Sequence, residues 1–283
     1  MTDLDPRLNA YRPDLADAAL RGQIDATSYA EGRPGRVAAG RTPLLTRPSN
    51  ESRMGSELLF GEAVTVFEVR DGWAWLQSQE DGYVGYTHAD RLDNAAGAST
   101  HRVSALRTFL YAEPDLKSPV RDVLSMNSLL CEREREASFI GLTTGGWVWV
   151  NHAAAMDEHE SDHAAVALRF LGAPYLWGGR SSIGLDCSGL VQMALARCGK
   201  QAPRDSDIQG ASLGEAVTFD GDEAALAHGD MLFWPGHVGI WLEGSDFLHA
   251  NATDMMVARG PFGPIASHIA KVTDSDVIAV RRP

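Results

Sequence analysis

Short alternating runs of apolar and polar residues dominate the chain from about residue 37 to residue 152. Such runs predict β-strands, because successive side chains of a strand point to opposite faces of its sheet. Asp71-Gly72 and Asp81-Gly82 lie between runs and predict tight hairpin turns. The clearest runs are Leu58-Leu59-Phe60, Ala63-Val64-Thr65-Val66-Phe67 and Trp73-Ala74-Trp75-Leu76. This part of the chain is therefore expected to be all-β.

A short aromatic pattern occurs twice in this region. Gly72-Trp73-Ala74-Trp75-Leu76 has a second copy in Gly146-Trp147-Val148-Trp149-Val150. Each copy lies late in a segment of roughly 55 residues, which suits a small barrel. We therefore predict two small all-β barrels, over residues 41–95 and 96–152, although two aromatic hairpins in any all-β domain would show the same pattern. Residues 1–40 are predicted to be a polar leader with one short helix, Asp14 to Leu20.

The pattern changes again from about residue 153, where helical spacing precedes a run of strands. Ser161 can cap a helix that runs to Leu171, and a second helix is predicted from Cys187 to Arg197. The second helix has an apolar stripe formed by Leu190, Val191, Ala194, Leu195 and Cys198. The predicted strands are Met231–Trp234, His237–Leu242, Phe247–Asn251 and Val277–Val280. Helices followed by consecutive strands predict an α+β domain with an antiparallel sheet over residues 153–283.

Composition and charge narrow the classes of function. Hydrophobic residues make up 44% of the 283 residues, enough for a packed core. The formal net charge of -13 repels phosphate backbones and anionic lipids, so we expect neither nucleic acid nor membrane as a partner. The N-terminus has acidic residues and no long apolar run, which predicts a cytoplasmic protein without a secretory signal. The cysteines and histidines lack the spacing of a zinc site, so no metal and no cofactor are expected.

Of the three cysteines, Cys187 has surroundings that suit a nucleophile. It follows a Gly-rich loop and opens a helix, within Gly184-Leu185-Asp186-Cys187-Ser188-Gly189-Leu190. The positive end of a helix dipole and nearby backbone N–H groups lower a thiol pKa, and those N–H groups could also hold an oxyanion. Cys131 and Cys198 lie among apolar residues and are expected to be small core residues.

A histidine base for this thiol is expected on a strand. His237 follows Trp234-Pro235-Gly236, and Gly239 shares its strand face, which leaves room for a helix terminus to approach. A histidine base needs a partner that fixes its tautomer. His249 and Asn251 on the next predicted strand are the two candidates for that partner.

Several motifs occur together in an order that resembles one known family. Ordered along the chain, they are Leu171-Gly172-Ala173-Pro174-Tyr175-Leu176-Trp177-Gly178-Gly179, Leu185-Asp186-Cys187-Ser188-Gly189-Leu190-Val191-Gln192, Gly229-Asp230-Met231-Leu232-Phe233-Trp234, Gly236-His237-Val238-Gly239-Ile240-Trp241 and Leu248-His249-Ala250. Residues 155–283 resemble the NlpC family of bacterial cell-wall cysteine peptidases. The resemblance implies a papain-like fold with Cys187 as nucleophile, His237 as base and His249 as the third member.

The two predicted barrels resemble bacterial SH3-like domains and indicate a subgroup of this family. That subgroup cleaves the γ-D-glutamyl–diamino-acid bond of murein tri- or tetrapeptides that carry a free N-terminal L-Ala. The resemblance implies that the first barrel lines the substrate cleft, and that the substrate is contacted by Glu62, Tyr83, Tyr86, Tyr175, Trp177, Asp186, Ser188, Arg204, Asp205 and Ser206. An Arg fork suits the α-carboxylate of γ-D-Glu, and carboxylates suit the free ammonium.

Two other classes of function use the same residues. One is a peptidoglycan-binding protein with an inactive peptidase domain, which the presence of Cys187, His237 and His249 argues against. The other is an acyl or peptidyl transferase, because a thioester can be resolved by an amine as well as by water. The second barrel is expected to be a spacer, with Glu132-Arg133-Glu134-Arg135-Glu136 as an exposed charged strand.

Overall fold

The computed structural model describes residues 4–94 and 97–283, and the chain divides into two compact units, Met1–Met156 and Asp157–Pro283. The division lies close to the predicted change of pattern at residue 153. The predicted boundary between the two barrels, at residues 95 and 96, lies outside the described residues, as do the first three residues of the predicted leader.

The first unit begins with a segment that packs on a seven-stranded sheet. Strands β1 (Leu15–Asp17) and β2 (Ser28–Ala30) form a parallel pair. The sheet strands are β3 (Arg33–Val37), β4 (Arg41–Leu45), β5 (Met54–Leu59), β6 (Ala63–Arg70), β7 (Trp73–Ser78), β8 (Val84–His88) and β9 (Leu92–Asp93). They lie in the order β5-β4-β8-β7-β6-β3-β9. Both predicted hairpin turns are present, and Asp71 and Gly72 take the positive φ angles that a tight turn requires.

The predicted helix from Asp14 to Leu20 is wrong. Its first part is strand β1, and only Ala18–Leu20 form one turn of 3₁₀-helix. The apolar residues that suggested a helix are held by tertiary contacts instead, since Leu15 packs against the cluster that contains Phe67 and Trp75. Strand β3 lies within the predicted leader, so the first sheet begins before residue 41.

The second half of this unit repeats the strand order of the first. Its strands are β10 (His101–Val103), β11 (Arg107–Tyr111), β12 (Val120–Ser125), β13 (Leu129–Leu130), β14 (Glu132–Glu136), β15 (Phe139–Leu142), β16 (Trp147–Trp149) and β17 (Ala153–Ala155). Five form a sheet in the order β12-β11-β16-β15-β14, which matches β5-β4-β8-β7-β6. The remaining three form a sheet in the order β13-β10-β17, because the counterpart of the long strand β6 is split between β13 and β14.

The structural repeat does not align the two aromatic patterns that suggested it. The first pattern lies on β7, whereas the second lies on β16, which is the counterpart of β8. The register shows the true equivalence: Tyr86 pairs with Leu45 after a bulge, and Trp147 pairs with Tyr111 after a bulge at the corresponding place. Two strands of similar composition, adjacent in each sheet, produced the false alignment.

The second unit combines four helices with a six-stranded antiparallel sheet. Its helices are α1 (His163–Leu168), α2 (Cys187–Arg197), α3 (Ser206–Ser212) and α4 (Phe262–Thr273). Its strands are β18 (Arg180–Ser181), β19 (Gly184–Leu185), β20 (Glu215–Ala216), β21 (Met231–Trp234), β22 (His237–Trp241), β23 (Asp246–Asn251), β24 (Met256–Pro261) and β25 (Ala279–Arg282). The large sheet has the order β20-β25-β21-β22-β23-β24, so the α+β prediction is confirmed.

Helix α2 has the predicted bounds but not the predicted one-sided burial. Ten of its eleven residues are buried, because the helix runs through the middle of the unit rather than along its surface. The first predicted helix is shorter than expected, and Asp162 caps it instead of Ser161. Helices α3 and α4 were not predicted. No helix of the described residues is long and apolar enough to cross a membrane.

Candidate active site

The start of helix α2 is held by the side chain of Asp186. One carboxylate oxygen accepts a hydrogen bond from the Gly189 backbone N–H at 2.8 Å, which satisfies a free donor of the first helical turn. The other oxygen accepts from the Gly178 N–H, also at 2.8 Å. Asp186 therefore ties the Gly-rich loop to the helix, and Cys187 is the first residue of the helix after this cap.

Arg204 forms a two-point ion pair with the same carboxylate. Its two terminal nitrogens donate to the Asp186 oxygens at 2.9 and 2.7 Å. They also donate to Ser188 Oγ at 3.0 Å and to the Gly179 carbonyl at 3.3 Å. Arg204 is 0% exposed. The guanidinium is therefore buried and engaged with protein groups, and its predicted contact with a substrate carboxylate stays a prediction.

Cys187 is buried between the helix start and strand β22. Its sulfur is within hydrogen-bonding reach of the backbone N–H groups of Val238 and Ser188. Burial raises the pKa of the thiol to about 12, and the negative charge of Asp186 adds to this effect, while those N–H groups and the charge of Arg204 act in the opposite direction. The expected low thiol pKa is thus not found, because desolvation outweighs the favourable contacts.

His237 and His249 form the pair that the sequence predicted on neighbouring strands. His237 is the first residue of β22, directly before the Val238 that contacts the Cys187 sulfur, and its Nε2 lies 2.9 Å from Nδ1 of His249. The amide nitrogen of Asn251 lies 3.3 Å from the other ring nitrogen of His249. Asn251 is held in turn by Asp254, whose backbone N–H donates to its amide oxygen at 2.8 Å. Asp254 was not identified from the sequence.

Both histidines strongly favour the neutral form. Burial lowers the pKa of His237 to about 3, with a contribution from His249, and burial lowers the pKa of His249 to about 4. With the thiol pKa raised and the imidazole pKa lowered, the resting thiol and imidazole are both uncharged near neutral pH.

The loop before the helix places two predicted aromatic residues differently. Tyr175 is half-buried, and its pKa is raised by burial and by the nearby charges of Cys187 and Asp186, so its ring lies close to the nucleophile. Trp177 is 66% exposed and is open to contact with a ligand.

Three further predicted residues lie around helix α3 and the start of α2. Ser188 is buried, donates to Asp186 at 3.2 Å and accepts from Arg204, so its hydroxyl belongs to the helix cap. Asp205 and Ser206 begin helix α3 and are both half-buried. Their predicted contact with the substrate stays a prediction.

The three predicted residues of the first unit have different surroundings. Glu62 is 2% exposed, and its carboxylate accepts a hydrogen bond from the Leu59 backbone N–H at 3.0 Å, so it is not a solvated turn residue; its contact with the substrate amine stays a prediction. Tyr83 is buried in the core of the first sheet. Tyr86 is half-buried, and its hydroxyl accepts a hydrogen bond from Arg12 at 2.9 Å.

Within residues 4–94 and 97–283, no group of three or more His, Cys, Asp or Glu side chains is arranged to hold a metal ion. The site contains the Cys187 thiol, the imidazoles of His237 and His249, the Asn251 amide, and the Asp186 carboxylate paired with the Arg204 guanidinium. This set suits nucleophilic catalysis by a cysteine with a histidine base.

Two family models match parts of this chain, and known proteins are similar to most of its length. Residues 172–274 match the NlpC/P60 family, and residues 44–92 match the bacterial dipeptidyl-peptidase SH3 domain. The chain is 28% identical over 239 residues to Dipeptidyl-peptidase 6 of Lysinibacillus sphaericus, covering 76% of this chain and 86% of that protein. It is 27% identical over 269 residues to Gamma-D-glutamyl-L-lysine dipeptidyl-peptidase of Bacillus subtilis, covering 84% of this chain and 86% of that protein.

The fold has a counterpart among solved structures. An NlpC/P60 family protein of Bacillus cereus superposes with a TM-score of 0.74 and 20% identity, covering 88% of this chain and 99% of that one. The chain therefore carries an NlpC/P60 cysteine peptidase domain, preceded by an SH3 domain of the bacterial dipeptidyl-peptidase type.

Proposed function

We propose that this protein is a γ-D-glutamyl–diamino-acid endopeptidase that acts on murein peptides with a free N-terminal L-Ala. Peptidoglycan endopeptidase activity follows from the family. The finer specificity is supported by the two relatives named as dipeptidyl-peptidases, each aligned over more than 70% of this chain. An enzyme that releases dipeptides from L-Ala-γ-D-Glu-diamino acid requires an unblocked first residue.

The observation that carries the chemistry is the position of the Cys187 sulfur against the backbone N–H of Val238, the residue that follows His237, whose Nε2 is engaged by His249. Because Nε2 faces His249, Nδ1 is the nitrogen of His237 that can take the thiol proton. For this, Nε2 must carry a hydrogen and donate it to His249, so His249 sets the tautomer of His237.

The reaction then proceeds through an acyl-enzyme. The thiol proton passes to His237 as the sulfur attacks the γ-carbonyl carbon of D-Glu, which gives a tetrahedral oxyanion. The C–N bond breaks, and the diamino acid leaves with the proton from His237. Water then attacks the thioester and gives its proton to His237, which returns it to the sulfur and frees the dipeptide.

Two acidic groups are predicted to meet the free amine. Glu62 is buried, and its carboxylate accepts a hydrogen bond from the Leu59 backbone N–H, so its contact with the amine stays a prediction. Asp205, half-buried at the start of α3, is the second predicted carboxylate. A buried ammonium paired with carboxylates would exclude an acylated nitrogen, because the acid would then be left unpaired and desolvated.

One assay tests the proposed specificity. The purified protein is incubated with L-Ala-γ-D-Glu-diamino acid, and with the same peptide attached to N-acetylmuramic acid, and products are identified by mass spectrometry. We expect dipeptide from the free peptide and a rate lower by about a thousandfold from the sugar-linked one. Equal cleavage of both would leave a general wall hydrolase. Transfer products with added amine would indicate a transferase, and no product from either would indicate a binding protein.

We further propose a cytoplasmic role in the recycling of cell-wall peptides, because free peptides of this kind are products of wall breakdown. Fractionation of the source cells, followed by detection of the protein in each fraction, tests this location. Recovery with the wall fraction would contradict it.

A further inference from the structure

Arg204 has the features of a residue that holds the catalytic groups in place without touching the substrate. It is fully buried, although most arginines lie at protein surfaces. Every contact described above for its guanidinium goes to residues that surround the nucleophile: Asp186, Ser188 and Gly179. A buried charge of this kind is costly to desolvate, so its presence needs a reason beyond packing.

The two-point ion pair holds the cap of helix α2 in a single orientation. A carboxylate can rotate, but the fork of Arg204 binds both oxygens and leaves each in line with one backbone donor, Gly189 on one side and Gly178 on the other. The cap is the residue immediately before Cys187. Its orientation therefore determines where the first turn of the helix, and with it the sulfur, lies relative to His237.

The charge of Arg204 also bears on the thiol. Asp186 is a negative charge one residue from the nucleophile, and without a partner it would oppose the formation of a thiolate. Arg204 neutralises that charge across contacts of 2.7 and 2.9 Å.

We propose that Arg204 is a positioning residue of the peptidase reaction, which fixes Cys187 through the Asp186 cap and neutralises the carboxylate beside the developing thiolate. This proposal rests on Cys187 being the nucleophile. It replaces the sequence-based role of Arg204 as a contact of the substrate carboxylate.

Steady-state kinetics separate these two roles. For Arg204→Met we expect kcat to fall by about 100-fold with KM nearly unchanged, because the displaced group is the nucleophile and not a substrate contact. Arg204→Lys should keep the charge but lose the two-point geometry, and so lose less of kcat. A rise in KM with kcat retained would overturn the proposal and restore the substrate contact.

Alkylation of Cys187 tests the proposal without any peptide. The rate of reaction with iodoacetamide is followed by mass spectrometry from about pH 6 to pH 10, with Cys187→Ala identifying the modified site. We expect Arg204→Met to slow alkylation at every pH in this range. Because this readout needs no murein peptide, failure of the proposed substrate specificity would leave it unaffected. If Arg204→Met has the same alkylation profile as the wild type, the proposal that Arg204 neutralises the carboxylate beside the thiolate is overturned.

Two further variants separate positioning from folding. Arg197 is a second buried arginine, at the opposite end of α2, where it donates to the Glu158 carbonyl at 2.6 Å. Arg197→Met should lower thermal stability without changing the pH dependence of alkylation. The double variant Asp186→Asn/Arg204→Met removes both charges and avoids an unpaired carboxylate, so it tests the proposal even where Arg204→Met fails to fold. We expect its kcat to stay well below that of the wild type, and, where Arg204→Met folds, we expect the double variant to alkylate faster than Arg204→Met. Recovery of kcat to the wild-type value would show that Arg204 positions nothing.

Discussion

In each of the two compact units an arginine side chain is fixed between polar partners, Arg12 in the first and Arg204 in the second, and the two contribute differently. In the first unit, Arg12 donates to Glu68 at 2.9 Å and to Asp14 at 2.8 Å, and its guanidinium lies 4.4 Å from the centre of the Trp75 ring. In the second unit, Arg204 binds Asp186 through two hydrogen bonds. The side chain of Arg12 is 18% exposed and that of Arg204 is 1% exposed.

The partners of each arginine explain the difference. Arg12 joins the N-terminal segment to strands β6 and β8 through Glu68 and Tyr86, groups that lie far from it in sequence. It therefore fastens a terminal segment to a sheet. Arg204 joins residues of the loop and helix that hold the nucleophile. The same guanidinium chemistry thus contributes to stability in one unit and to the geometry of catalysis in the other.

The largest expected effect comes from removing the nucleophile itself. Cys187→Ala should abolish turnover of the murein tripeptide and leave the free energy of unfolding nearly unchanged, since the thiol is needed only for the covalent step. Turnover is measured by chromatography of the products. Cys131→Ala and Cys198→Ala are the matched controls, and both should retain turnover. Full activity of Cys187→Ala would show that Cys187 is not the nucleophile, and the catalytic role of Arg204 in this comparison would then be lost.

Acid should destabilise the second unit through its two active-site histidines. Their pKa values in the folded protein, about 3 for His237 and about 4 for His249, lie below the ordinary value of 6.5. Between those values the unfolded chain binds protons that the folded chain excludes, so the free energy of unfolding decreases as the pH falls below 6.5. Above 6.5 both states are neutral and the two histidines contribute no pH dependence.

Urea denaturation at about pH 7.5 and about pH 4.5 measures this effect. Between these two pH values, we expect the free energy of unfolding to decrease more for the wild type than for His249→Asn. This variant lacks one of the two histidines whose pKa is lowered in the folded protein. An equal loss in both proteins would show that other groups cause the acid sensitivity.

A smaller effect is expected from Arg12. Arg12→Ala should lower the free energy of unfolding of the first unit by about 1–3 kcal/mol, because it removes charge-assisted hydrogen bonds and the cation–π contact with Trp75. The rate of Cys187 alkylation should not change. A slower alkylation in Arg12→Ala would contradict the division of roles between the two arginines.

The sequence was most informative where a motif is local. Cys187 at the start of a helix and His237 beside His249 were predicted from neighbouring residues, and the structure brings the two histidines within 2.9 Å. Their catalytic roles stay predictions until tested. The α+β class and the bounds of α2 also followed from local patterns, because a helix of eleven residues with an apolar stripe, preceded by a Gly-rich loop, carries clear signals.

Features that depend on distant partners were not predictable in the same way. Asp186, the partner of Arg204, lies 18 residues away in sequence. Because guanidinium groups suit carboxylates in general, the sequence alone is equally compatible with a contact to a substrate carboxylate. Glu62 was predicted to contact the substrate, and its hydrogen bond from the Leu59 backbone N–H was not visible in the sequence. Leu15 carried a helical pattern, but its contacts with the Phe67 and Trp75 cluster favour a strand, since tertiary packing overrides weak local preference.

The charged strand β14 bears on how the protein behaves at high concentration. It lies at the edge of the five-stranded sheet, and its last four residues are exposed, as the sequence predicted for Glu132 to Glu136. An edge strand offers backbone donors and acceptors to any other chain, and an apolar edge would invite sheets to join into aggregates. Association along β14 would require carboxylates and guanidinium groups to give up their water. The charges of β14 therefore disfavour self-association along this edge of the sheet.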